Sequence, residues 1–122
     1  MNHWDELVST PLKARLKKEE SEKLKKLVET GIKIYNKYRS PESTAYFLRQ
    51  WGSIVAVLFK GSFCVTCGIN DWVEDLKYVL EDLGAKVELL EIIEPSGEHN
   101  DSRIGIFRVK ELPENVEGEE TN

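Results

Sequence analysis

Between Pro11 and Tyr38 the chain contains no second proline, and its apolar residues fall mostly at spacings of three and four. Leu12, Leu16, Leu24, Leu27, Val28, Gly31, Ile34, Tyr35 and Tyr38 fall along one stripe. Ser9 or Thr10 can cap the orphan amides, with Pro11 at the first helical position. The pattern predicts a long N-terminal helix of roughly 28 residues, about 42 Å at 1.5 Å per residue. A helix of that length outruns a small domain, and over residues 13–23, KARLKKEESEK, the stripe is thin. This end is expected to project or to meet another chain. Leu24, Leu27, Gly31, Tyr35 and Tyr38 are the expected dimer contact.

The same punctuation recurs at SPES, residues 40–43, where Ser40 caps and Pro41 starts a second, shorter helix through Ala45, Phe47, Leu48 and Trp51. Gly52 is its expected stop. The period then changes. SIVAVLF is a continuous β-branched and aromatic run, as in a strand covered on both faces. Lys60-Gly61 reads as a tight turn and SFCVTC as the returning strand.

Asn70 or Asp71 is expected to cap the next helix, with Glu74 completing a capping box. Trp72, Val73, Leu76, Val79, Leu80 and Leu83 form its apolar face, and Gly84 ends it. AKVELLEIIE and SRIGIFRVK read as strands joined by a polar loop. The expected order is α-α-β-β-α-β-β: an α+β domain with a four-stranded, mainly antiparallel sheet packed by helices. Its expected extent is residues 11–110, after an N-terminal segment (1–10) and before an acidic, disordered tail (111–122).

A chain of 122 residues with 40% hydrophobic content suits one domain and needs no disulfide or metal to fold. No secretory or membrane-spanning apolar run is present, so the expected location is cytoplasmic and the thiols reduced. Charged residues make up 32%, mostly Lys and Glu against a single glutamine, a bias resembling that of hyperthermophile proteins. Residues 1–53 carry 11 Lys/Arg against 7 Asp/Glu, and residues 54–122 carry 6 against 15. The halves attract each other, or the basic half faces a partner.

Cys64 and Cys67 stand in a C-x-x-C followed by glycine, the form of a zinc knuckle. Structural zinc wants four ligands, and His3 and His99 are the only histidines. A closed site would need those residues, or a two-fold axis joining the cysteines of two subunits into a zinc-stabilised dimer. A redox pair would place the first cysteine at a helix N-terminus, whereas Cys64 precedes the expected cap by about seven residues. In an extended strand the two side chains point to opposite faces. Small buried hydrophobes are therefore the favoured reading, and zinc the alternative.

Lys13, Arg15, Lys17, Lys18, Lys23, Lys25 and Lys26 could follow nucleic-acid phosphates. Glu19, Glu20 and Glu22 interrupt them, no readout residues are interleaved, and the net charge is −5, so a solvated helix face is preferred. Glu94, Glu98, His99 and Asp101 in EPSGEHND could bind metal or move protons, but a polar Pro-Ser-Gly connection explains them already. The aromatics Tyr46, Trp51, Phe59, Phe63 and Trp72 are the candidate lining of an apolar ligand pocket.

From residue 46 to 110 the order of features resembles the C-terminal half of the vinyl-reductase-type, hydrocarbon-binding domain. The likeness lies in FLRQWGS, the helix DWVEDLKYVLEDLG, the strand and turn VELLEIIEPSGE, and the last strand IGIFRV. It implies a small, often hydrophobic ligand and a dimer. The family's cysteines near the last turn have no counterpart here, where Ile93, Ser96 and Ile106 stand, so its ligand residues are not carried over. The sequence thus points to a non-enzymatic homodimeric module that binds a small apolar ligand or a protein partner.

Overall fold

A computed structural model of the chain describes residues 17–61, 69–94 and 102–114. Among them run helix α1 (Lys18–Arg39), strands β1 (Thr44–Trp51) and β2 (Ile54–Lys60), helix α2 (Ile69–Asp82), and strands β3 (Lys86–Ile93) and β4 (Ser102–Glu111). The strands form one antiparallel sheet in the order β1-β2-β4-β3. The fold is α+β, as the hydrophobic periods predict.

One expected element changes type. Residues 44–51, TAYFLRQW, form β1 rather than a second helix. Thr, Tyr, Phe and Trp are strand formers, and Pro41 lies in the turn before them. Gly52 accordingly ends no helix. It takes a positive φ of 57° in the two-residue connection between Trp51 and Ile54, which face each other across β1 and β2. β2 is flanked along its whole length by β1 and β4, so no edge of it is open to a return strand after Lys60-Gly61. Residues 62–68, SFCVTCG, lie outside the described residues.

Both helices cover the same face of the sheet. Leu24, Leu27, Val28 and Tyr35 of α1 and Val73, Leu76 and Leu80 of α2 are buried against Val55, Val57, Phe59 and Phe107. Burying each such side chain stabilises the fold by roughly 1.5–3 kcal/mol relative to leaving it in water. At the start of α1, the Glu20 carboxylate accepts the Lys17 backbone N–H at 3.4 Å. Acidic residues in the first turn and Lys37 and Arg39 in the last oppose the helix dipole. α2 begins at Ile69, so Asn70 and Asp71 fall inside its first turn rather than at the expected cap. Beyond β4, Leu112 packs against the core, and Lys23 Nζ donates to the Glu114 carbonyl at 2.6 Å.

Two polar contacts fasten α1 to its neighbours. Asn36 acts like one residue of an extra strand: its Oδ1 accepts the Ala45 N–H at 2.7 Å and its Nδ2 donates to the Ala45 carbonyl at 3.1 Å. The free edge of β1 is thereby partly covered. Deeper in, the Tyr35 hydroxyl donates to the Trp72 carbonyl at 2.9 Å and accepts from Ser43 Oγ at 2.8 Å. Burial pushes the Tyr35 phenol up to about 12, while the Ser43 hydrogen bond pulls it partly back.

Tyr35→Phe leaves two buried polar groups without this partner and should cost about 1–3 kcal/mol in urea denaturation at pH 8. Because the folded phenol titrates above its unfolded value, its contribution is complete below pH 10 and is lost as pH rises toward 12. The gap between wild type and Tyr35→Phe should narrow across that window. A constant gap would contradict the buried hydroxyl.

Candidate functional site: the open face of the sheet

Strand alternation sends every second side chain to the face opposite the helices. Val55, Val57 and Phe59 point inward on β2, so Ile54, Ala56 and Leu58 point outward. Register carries this face across the sheet. Tyr46, Leu58, Ile104 and Ile93 form one row; Arg49, Ala56, Ile106 and Glu91 the next; Trp51, Ile54, Arg108 and Glu88 the third. Shifts between Phe47 and Arg49 and between Leu89 and Glu91 keep the outer strands in phase with the inner ones.

β2 is apolar on both faces, which suits a strand covered twice. Among the described residues, helices cover only one of them. The outward face holds a shallow groove of about 450 Å³ lined by Leu48, Arg49, Trp51, Ala56, Ile93, Ile104 and Ile106. The Arg49 guanidinium sits 5.6 Å from the Trp51 ring centroid, a cation–π contact that holds both at the groove's β1 side. At its opposite side β3 supplies Glu88 and Glu91. The groove is an apolar floor between a basic and an acidic margin. It offers shape and surface rather than bond-making chemistry.

The aromatic set expected to form a pocket is divided by the sheet. Tyr46 and Trp51 belong to the open face. Phe59 lies wholly buried on the other side, 5.5 Å from the Tyr35 ring and edge-on to it. Trp72 stands on α2 under the Arg39 guanidinium, which also pairs with Asp75. Phe63 lies outside the described residues. The four described residues are therefore not brought together, because a period of two places Phe59 opposite its outward-facing neighbours.

Of the residues expected at a dimer contact, Leu24, Leu27, Gly31 and Tyr35 are buried within the chain itself and only Tyr38 is exposed. Gly31 faces α2 closely: a Cβ there would lie 2.5 Å from Leu80 Cδ2. The apolar stripe of α1 is used within the chain, against the sheet and α2.

Of the basic residues, Lys17, Lys18, Lys25 and Lys26 are exposed, Lys25 with its ammonium 5.8 Å from the Phe47 ring centroid. Lys13, Arg15, Cys64, Cys67, His3 and residues 95–101 lie outside the described residues. Among the described residues no three His, Cys, Asp or Glu side chains gather, and no helix is long and apolar enough to cross a membrane.

Neither a family model nor a curated protein matches the chain, so the resemblance of residues 46–110 to the vinyl-reductase-type domain has no such support. Among solved structures the chain is similar to the crystal structure of an Fe(II) unliganded H-NOX protein from K. algicida, with 11% identity and a TM-score of 0.45. The superposition covers 96% of this chain and 57% of that one. The chain thus spans little more than half the length of that protein.

Proposed function

We propose that the chain is a non-enzymatic binding module whose working surface is the open face of the sheet, where it holds an apolar partner. One observation carries this reading: three outward rows of four strands present Leu58, Ile104, Ile106, Ile54 and Trp51 on the face that the helices leave uncovered. With strands about 4.8 Å apart and a rise of about 3.3 Å per residue, the face spans on the order of 400 Å². Four of its twelve positions are charged (Arg49, Glu88, Glu91 and Arg108), and the apolar remainder is comparable to the largest apolar patch of a typical soluble protein, which is often its functional surface.

The test uses an environment-sensitive apolar dye on dilute protein. Wild type should enhance its fluorescence, and Ile106→Glu, which sets a carboxylate at the middle of the face, should abolish the enhancement with little change in thermal stability. Equal enhancement by both proteins would remove the open face as the working surface.

A further inference from the structure

We propose that the occupant of the open face is a second copy of this chain, packed sheet on sheet about a two-fold axis that runs close to the strand direction between β2 and β4. The inference rests on the binding reading above and adds the partner and its geometry.

The argument comes from how charge is distributed across the rows. In the middle row the cross-strand register reads Arg49, Ala56, Ile106, Glu91: basic, small, large, acidic. A two-fold axis along the strands preserves height and exchanges left for right. It lays β1 over β3 of the second copy and β2 over β4. Arg49 then faces the partner's Glu91, and Ala56 faces the partner's Ile106, a small residue against a large one. By symmetry each contact occurs twice, as an isologous interface requires.

The neighbouring row behaves the same way. Tyr46 meets the partner's Ile93, and Leu58 meets the partner's Ile104, so this row closes as an uncharged, largely apolar layer. In the third row Ile54 meets the aliphatic stem of the partner's Arg108, and Trp51 lies over the partner's Glu88 beside its own Arg49.

The other in-plane axis, across the strands, would lay β1 on β1 and β3 on β3. Glu88 and Glu91 would then share one margin with their own copies, and Arg49 would face Arg49. Like charges brought together at an interface oppose association, so the charge pattern selects the first axis. Arg49 and Glu91 are both exposed, and neither makes an ion pair with another described residue. Two aligned sheets about 10 Å apart are an ordinary packing, and the apolar outward side of β2 then becomes core.

The test is sedimentation velocity of the full chain, with Arg49→Glu, Glu91→Arg, the combined Arg49→Glu/Glu91→Arg and Ile106→Glu. Wild type should be a dimer. Each single charge reversal should raise the dimer Kd at least about tenfold, and the combined reversal should restore it, since the facing pair is only inverted. Ile106→Glu should yield monomers that still melt cooperatively.

Three results would overturn the arrangement: a wild type that stays monomeric at every concentration reached, single reversals without effect, or a combined reversal that fails to rescue. If wild type is monomeric yet binds the apolar dye in an Ile106-dependent way, the face binds something other than this chain and only the dimer falls. Residues 1–16 folded over the face would give a monomer that neither binds dye nor responds to the reversals, and both readings would fall together.

Discussion

Phe59→Ala should destabilise the fold by about 3–5 kcal/mol, a large part of the 5–15 kcal/mol that holds a typical domain together. Phe59 is fully buried near the C-terminal end of β2, edge-on to Tyr35 at 5.5 Å and 6.4 Å from the Phe107 ring. Truncation removes the transfer energy of the ring and leaves a cavity that the surrounding helices and strands cannot fully close. It also removes the aromatic pair with Tyr35, whose hydroxyl sits in the Ser43 and Trp72 contacts. Urea denaturation followed by circular dichroism reads the loss directly. Tyr46→Ala is the companion variant, because Tyr46 is about half exposed, at 48%, on the opposite face. Measured on dilute protein, it should cost about 1 kcal/mol or less. Equal costs would mean that the two rings share one environment, and the division of the aromatic set by the sheet would be untenable.

That division shows where sequence patterning succeeded and where it stopped. α1 and α2 are legible from apolar residues spaced three and four apart, and β2, β3 and β4 from β-branched, apolar-rich runs bounded by turn residues. β1 is not, because SPES before it carries the signature of a helix start and a bulge breaks its alternation. The register shift between Phe47 and Arg49 breaks the two-residue alternation within TAYFLRQW. With it, Ala45 and Phe47 face the helices, Gln50 follows them inward to bond Ser21, and Leu48, Arg49 and Trp51 line the outer groove. The apolar positions 45, 48 and 51 then imitate a helical step of three. The β-forming composition of the segment was the available signal, and the helix-start punctuation of SPES overrode it.

The candidate site was hidden for a related reason. Its three rows draw one residue from each of four strands, and β4 enters between β2 and β3 only after α2 and β3 have been made. No local window contains that adjacency. The clue within reach was the run IVAVLF, apolar at successive positions and so apolar on both faces of one strand. It announced two coverings, of which the helices supply one. The stripe of α1 carried the opposite ambiguity: Leu24, Leu27 and Tyr35 needed a partner surface, and the sheet of the same chain provides it.

Gly105→Val tests the seat of α2 on that sheet and should be the second most damaging single change, at about 1–3 kcal/mol and above the middle of that range. Valine is the better strand former, so propensity alone predicts a gain. Packing decides otherwise. Gly105 faces inward on β4 between Val57 and Ile92, and a Cβ there would lie 2.8 Å from both Val73 Cγ1 and Phe107 Cε1. Neither neighbour can yield cheaply, because Val73 and Phe107 are fully buried. The missing side chain is what lets α2 rest directly on the strand. Combining the change with Val73→Ala removes one of the two obstructing groups, so the double variant should be less damaged than the sum of the singles by about 1 kcal/mol or more. Additive losses would mean that Val73 does not sit over Gly105, and α2 would then have to pack on the sheet through its Leu76 and Leu80 turns alone.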